Sequence, residues 1–198
     1  MTDAALDRQT QLLRRGLLLE YVTLGWNVVG TVIVMVAAYF AGSVALTGFG
    51  IDSLIEIFAS VVVVWQLKSV GKTSERLAVR LIGSAFFALA AYIFVQAIRT
   101  LSAQTHPATS TAGIIWLAAT FVAMLLLSLG KRRTGWQLDN AVLTTEAHVT
   151  LVDAYLAAAV LLGLVLNGVA DWWWADPLAG LVIVYYGLRE GVAAWRVP

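Results

Sequence analysis

Six stretches of predominantly apolar residues, separated by short polar segments, run the length of the chain. A helix of roughly 20 such residues is long enough to cross the hydrocarbon core of a bilayer. Hydrophobic residues make up 60% of the 198 residues and charged residues 13%, which is more apolar surface than a soluble domain of this size can bury. The stretches cover about 17–41, 43–67, 77–101, 112–130, 138–167 and 175–195. We predict an all-α, polytopic membrane protein with six transmembrane helices, in which 1–198 form a single transmembrane domain.

The breaks between the stretches carry recognisable turn and interface signals. Ala41, Gly42 and Ser43 indicate a tight turn, and 104–110 form a loop that contains proline. Basic linkers are predicted at 68–80 and at 131–133. The run Trp172–Trp174 is typical of an aromatic anchor at the membrane interface.

Basic residues mark one side of the predicted bundle. Lys and Arg cluster in the N-terminal segment, in the two basic linkers and at the end of the sixth stretch, whereas the opposite loops contain His106, Asp171 and Asp176. The side rich in Lys and Arg is normally cytoplasmic, so we expect both termini in the cytoplasm. The first sixteen residues lead into the first span without a cleavage-like site, so we expect no removable signal peptide. The absence of a targeting segment and the compact loops favour a multi-pass protein of a cell membrane, specifically a bacterial inner membrane.

The composition excludes several kinds of chemistry. There is no Cys among the residues, so disulfides, thiolate metal sites and cysteine nucleophiles are excluded. A metal ion would have to be held by oxygen atoms or by the two histidines. The net charge of +1 suggests no basic face for nucleic acid, and the lipid bilayer is the expected environment. We expect neither an enzyme nor a prosthetic group.

Five acidic residues lie inside the predicted spans, where an ionised side chain costs about 2.5–3.5 kcal/mol on insertion scales. They are Glu20, Asp52, Glu56, Glu146 and Asp153. Counted from the helix ends, Glu56 and Asp153 fall near the middle of their helices, and Asp52 lies one turn toward the outside. These three carboxylates are therefore expected to meet at one depth.

The spacing of the acids places them on defined helix faces. Asp52 and Glu56 are four residues apart, so their side chains share a face roughly 6 Å apart, a separation suited to holding one cation. Glu20, Thr23 and Asn27 form a polar stripe expected to face the bundle interior. No Lys or Arg is predicted at the depth of these acids. Burial and mutual repulsion disfavour ionisation of clustered carboxylates, so the acids are expected to exchange protons for a divalent metal ion.

Three segments resemble a known family. The segment 43–60, SVALTGFGIDSLIEIFAS, resembles the second helix of the cation diffusion facilitator family, whose metal site uses two acids spaced D-x-x-x-D; here they are Asp52 and Glu56. The segment 145–154, TEAHVTLVDA, is similar to the family's second metal segment, H-x-x-x-D or D-x-x-x-D, and ends with Asp153 and Ala154. The ADPLA sequence at 175–179 is similar to the start of the sixth helix. The resemblance covers the whole chain in order.

The resemblance implies a function and an assembly. Family members of this kind are homodimeric, six-helix exporters that exchange zinc, manganese, iron, cobalt or cadmium for protons. It implies a main metal site at Asp52, Glu56 and Asp153, with a transported ion such as Zn²⁺, Mn²⁺ or Fe²⁺ and zinc as the family default. Members usually continue into a cytoplasmic metal-binding domain, whereas this chain ends at Pro198. We therefore expect a short form without a cytoplasmic domain, whose dimer is held by membrane helices.

The fifth helix departs from the family pattern. Position 149, four before Asp153, is Val where a ligand is expected. His148 is adjacent, but one residue turns a side chain about 100° around the helix. Glu146 is on the correct face about 10 Å away, which fits an entrance site. Glu146 and His148 are further candidate metal ligands, and Glu20 is a candidate for an entrance or proton path.

Two other functions are compatible with intramembrane acids. Asp52 and Asp153 could form the dyad of an intramembrane aspartyl hydrolase, although Ile51 separates Gly50 from Asp52 where such proteases carry G-x-G-D. A structural membrane subunit without transport activity would tolerate Asp52→Asn and Asp153→Asn. An oxygen-rich site with few histidines favours harder ions such as Mn²⁺ or Fe²⁺ over strictly tetrahedral zinc.

Overall fold

Six α-helices account for nearly all of the computed structural model, which describes residues 3–68 and 75–196. The helices are α1 (Asp3–Ala41), α2 (Val44–Lys68), α3 (Glu75–Ala103), α4 (Thr111–Leu138), α5 (Ala141–Ala170) and α6 (Ala175–Arg196). The described ranges contain no β-strand. The all-α prediction is confirmed.

Within the described residues, four helices contain segments that are long and apolar enough to cross a membrane by length and composition. These segments are Asp7–Ala41, Gly83–Ala103, Thr111–Leu138 and Glu146–Ala170. Large apolar side chains such as Val32, Leu126 and Leu162 lie exposed on the outside of the bundle, where lipid is the expected solvent. The chain is therefore a multi-pass membrane protein. That α2 and α6 also cross the membrane, and that both termini lie in the cytoplasm, remain predictions.

The connection between α4 and α5 differs from the prediction. The basic linker predicted at 131–133 is wrong, because α4 continues through these residues to Leu138. No proline interrupts this stretch, and Lys and Arg are good helix formers. The helix ends only at Asp139, whose φ of 49° is left-handed, and Asn140 then caps α5 by accepting a hydrogen bond from the Leu143 backbone N–H (2.9 Å). The two helices therefore form a tight antiparallel hairpin.

The other predicted helix boundaries agree with the structure in part. Gly42 has a φ of 60°, a left-handed conformation that glycine adopts without steric cost, so the tight turn between α1 and α2 is confirmed. The predicted linker at 68–80 is shorter than expected, because α3 begins at Glu75 and includes Arg80. Lys72 lies outside the described residues. Helix α1 begins at Asp3, well before the predicted start near 17.

Helix α2 is the centre of the bundle, since it packs against α1, α3, α5 and α6. Its first turn is fixed to α6 by Asp176, which accepts hydrogen bonds from the Ser43 hydroxyl and from the backbone N–H of Val44 (3.0 Å). The apolar core beside this tie includes Leu46 and Ile183, both fully buried. The starts of α2 and α6 therefore lie at the same level, and both helices run in the same direction from it.

Candidate cation-binding site

Three carboxylates that the sequence singles out line one cavity in the middle of the bundle. Helix α2 supplies Asp52 and Glu56 from the same face, and α5 supplies Asp153. All three side chains belong to buried residues, with 7%, 4% and 3% of their surface exposed, respectively. The cavity measures about 20 Å³, which is room for one water molecule or one ion of similar size. This placement agrees with the prediction that the three acids lie at one depth.

Two of these carboxylates, those of Glu56 and Asp153, lack the partners that buried acids normally have. Neither oxygen of Glu56 and neither oxygen of Asp153 has a hydrogen bond to a described residue. The amide of Asn27 approaches Glu56 from α1, but its nitrogen is also without a properly oriented hydrogen bond. A buried ionised carboxylate without compensation is strongly unfavourable. A bound proton or cation would supply the missing compensation.

The acids line the cavity without forming a complete coordination shell. Among the described residues, no three Asp, Glu or His side chains stand close enough together to hold a metal ion in this arrangement. The remaining wall is largely apolar and includes Phe86, Val152 and Leu156. Metal binding here would require acidic side chains to turn toward a common point, and the apolar wall would exclude water from it.

A second polar cluster, at the interface of α1, α4 and α5, centres on Lys131. Its ammonium nitrogen donates to Glu20 Oε2 at 3.1 Å, to Thr150 Oγ1 at 3.1 Å and to Glu146 Oε1 at 3.5 Å. Lys131 and Glu20 are fully buried and Glu146 is nearly so. The Ser60 hydroxyl donates to Glu146 at 3.4 Å. We call these five residues the Lys131 cluster.

The Lys131 cluster corrects one expectation. The prediction that no basic residue lies at the depth of the intramembrane acids is wrong, because Lys131 forms buried ion pairs with Glu20 and Glu146. The error follows from the linker predicted at 131–133, since a lysine in a linker would reach water. Once α4 continues as a helix, Lys131 faces inward while Arg132 and Arg133 are exposed.

The Lys131 cluster adjoins the cavity. Thr150 precedes Asp153 by three residues on one face of α5, and Glu56 lies close enough to Lys131 and Glu146 for their charges to interact. One lysine faces two glutamates here, and Glu20 Oε1 has no hydrogen bond to a described residue. The polar stripe predicted on α1 is buried as expected, with Glu20, Thr23 and Asn27 at most 2% exposed.

The structure places the remaining candidate ligands differently from one another. Val149 lines the cavity, so its apolar side chain occupies wall where a ligand was expected. His148 is exposed and is not among the residues that line the cavity. Glu146 contacts Lys131 and Ser60. The structure thus brings Asp52, Glu56 and Asp153 to one cavity and leaves Glu146 and His148 outside it.

Sequence reasoning missed one acid. Glu190 on α6 lines the same cavity as Asp52 and Glu56 and is half-buried. Its position next to Arg189 made it resemble the charged end of a helix. The sequence does contain one signal: Glu190 follows Asp176 by about the same number of residues as Glu56 follows Ser43. This signal becomes useful only when the structure shows that α2 and α6 begin at the same level.

Comparison with protein families identifies the membrane region of the chain. The family model described as the cation efflux transmembrane domain matches residues 21–196, a range that begins within α1 and includes Asp52, Glu56, Lys131 and Asp153. No curated protein matches the chain.

Proposed function

This chain belongs to the cation diffusion facilitator family of membrane cation transporters, and we propose that it exchanges a divalent metal ion for protons at Asp52, Glu56 and Asp153. The observation that carries the proposal is the pair of buried carboxylates, Glu56 and Asp153, whose oxygens have no hydrogen-bond partner among the described residues. Both line a cavity with room for one ion. Such groups need a proton or a cation to be stable in a bilayer.

Proton exchange follows from the same chemistry. Three acids around one small cavity repel one another when ionised, so protons are favoured when no metal is present. A divalent ion favours the ionised carboxylates and displaces those protons. In the proposed cycle, metal enters from the cytoplasm as protons leave, the site changes its exposure, and protons return as metal is released outside. The family supplies the outward direction.

The ligand chemistry narrows the range of cargo. Carboxylates from Asp52, Glu56 and Asp153 line the cavity, and the described residues of its wall include neither histidine nor cysteine. Zinc is kept as the family default, while an oxygen-only site accommodates Mn²⁺ and Fe²⁺ well. Co²⁺ and Cd²⁺ complete the set of ions to be tested. No prosthetic group enters the proposal.

The neighbouring acids receive separate roles. Lys131 already offsets the charges of Glu20 and Glu146, so these two are poorer metal ligands than the acids at the cavity. We assign Glu20 to the proton path, because its Oε1 is buried and has no hydrogen-bond partner in the part of the chain that the structure describes. His148 is exposed and is kept only as a peripheral ligand. A homodimer in a bacterial inner membrane is proposed from the family and from the distribution of basic residues.

Metal flux in proteoliposomes tests the proposal. Zn²⁺, Mn²⁺, Fe²⁺, Co²⁺ and Cd²⁺ are offered to vesicles that contain the native chain or Asp52→Asn, with a pH-sensitive dye inside. We expect metal-dependent proton movement with at least one ion and its loss in the variant. The exposed Asp171→Asn is the matched control and should transport normally. Absence of flux with all five ions in folded protein would contradict the proposal, and peptide cleavage that depends on Asp52 and Asp153 would favour the intramembrane hydrolase.

A further inference from the structure

The wall of the cavity has a gap in its ring of ligands. On α5, Val149 precedes Asp153 by one turn and lines the cavity without offering an oxygen atom. From α6, Tyr186, Gly187 and Glu190 line the same cavity. A carboxylate from α6 therefore lines the cavity in which position 149 of α5 offers none.

The depth of Glu190 matches that of the other acids. Asp176 binds the first turn of α2 through Ser43 and Val44, which fixes a common level for the two helices. With a rise of 1.5 Å per residue, Glu56 lies about 20 Å along α2 from Ser43, and Glu190 lies about 21 Å along α6 from Asp176. The two glutamates thus reach one level from helices that run in the same direction.

The surroundings leave Glu190 available to a cation. Glu190 lines the same cavity as Asp52, and no ion pair to it is formed by the Lys and Arg side chains that the structure describes. The adjacent Arg189 instead lies over the ring of Tyr186, 6.0 Å from its centre. Gly187, one turn before Glu190, adds no side chain to the cavity wall.

We propose that Glu190 is a further ligand of the transported metal ion, supplying from α6 the oxygen that Val149 does not supply from α5. The inference rests on the proposed function and adds a residue to its site. The long side chain of a half-buried glutamate can turn inward as an ion enters, while Glu56 and Asp153 are already buried at the same cavity. Four carboxylates make an all-oxygen site, which suits Mn²⁺ and other hard ions better than a tetrahedral zinc site does.

Equilibrium binding of Mn²⁺, Zn²⁺ and Cd²⁺ to the purified chain tests this assignment. We expect Glu190→Gln to weaken binding of the transported ion by at least about 10-fold and to alter the ratio of Mn²⁺ to Zn²⁺ affinity. Arg189→Gln is the control for a charge change at the neighbouring position and should bind like the native chain. Thermal unfolding without metal establishes that each variant is folded.

A compensating variant separates a ligand from a structural residue. Val149→Asp places a carboxylate on the wall of the same cavity, so the double variant V149D/E190Q should regain at least half of the affinity, on a logarithmic scale, that E190Q loses. Native affinity and selectivity in E190Q, with binding lost in Asp52→Asn, would overturn the role of Glu190 and leave the proposed function standing. A double variant no better than E190Q would also overturn it. Native binding in Asp52→Asn would contradict the proposed function itself.

Discussion

The ammonium nitrogen of Lys131 lies 3.1 Å from the carboxylate of Glu20, and both side chains are fully buried. Glu146 shares the same lysine at 3.5 Å. Removing one partner of a buried ion pair leaves an uncompensated charge, which typically costs about 3–5 kcal/mol. The interface of α1, α4 and α5 therefore depends on this lysine.

Lys131→Met is expected to lower the free energy of unfolding by about 3–5 kcal/mol, measured by reversible unfolding in mixed micelles. Arg132→Met is the matched control, because Arg132 is exposed next to it in α4 and lies over the ring of Trp136, 4.4 Å from its centre. That control should change stability by less than about 1 kcal/mol. The triple variant K131M/E20Q/E146Q should recover part of the loss. Equal stability of the two single variants would contradict the importance of the buried ion pairs.

Asp153→Asn is expected to remove stabilisation by metal while leaving the metal-free protein folded. The amide has nearly the shape of the protonated acid, which is the form favoured in a buried site without metal. Saturation at about 100 times the dissociation constant stabilises the native chain by about 2.7 kcal/mol. Thermal unfolding with and without metal measures this gain. Asp171→Asn should keep the full gain, and a full gain in Asp153→Asn would show that metal binds elsewhere.

Gly163→Ala is expected to destabilise the contact of α5 with α6. An added Cβ would lie 2.8 Å from Ala179 Cβ and 3.0 Å from the Ala175 carbonyl oxygen, so the helices would have to separate at a cost of about 1–3 kcal/mol. Gly25→Ala is the matched control, since an added Cβ there meets nothing within 4 Å. It should be neutral or stabilising by up to about 1 kcal/mol. The free energy of unfolding is measured for both variants and compared with that of the native chain. A G163A variant as stable as the native chain would be inconsistent with the close packing of α5 on α6.

Asp176→Asn is expected to weaken the connection of α2 to α6 at a point far from the cavity. The carboxylate accepts hydrogen bonds from the Ser43 hydroxyl and the Val44 N–H, and losing charged hydrogen bonds costs about 1.5–3 kcal/mol. Because these hydrogen bonds align Glu190 with Glu56, the variant should also bind metal more weakly. Unfolding and metal binding are measured side by side with Ser43→Ala. If D176N is destabilised but binds metal with native affinity, the claim that this contact aligns Glu190 for metal binding is contradicted.

The elements that the sequence predicts well are those determined within one helix. Apolar length predicts the helices, and spacing predicts that Asp52 and Glu56 share a face. The polar stripe on α1 is likewise a property of one helix, and Glu20 and Asn27 are both buried as predicted.

The elements that the sequence does not predict depend on relations between helices. Whether Lys131 faces the interior depends on α4 continuing past 130, and its partners come from two other helices. Glu190 joins the cavity only because Asp176 aligns α6 with α2. Spacing along one chain segment carries no information on such alignment, so both residues looked like ordinary charges near helix ends.

Proton release on metal binding tests the central claim most directly. The purified chain is titrated with metal in a weakly buffered detergent solution that contains a pH indicator, and Asp153→Asn and Asp171→Asn are titrated in parallel. The account predicts that the native chain and Asp171→Asn release protons in a fixed ratio to bound metal, and that Asp153→Asn binds weakly and releases fewer. Metal binding without proton release, or the same release from Asp153→Asn, would contradict exchange of protons for metal at these carboxylates.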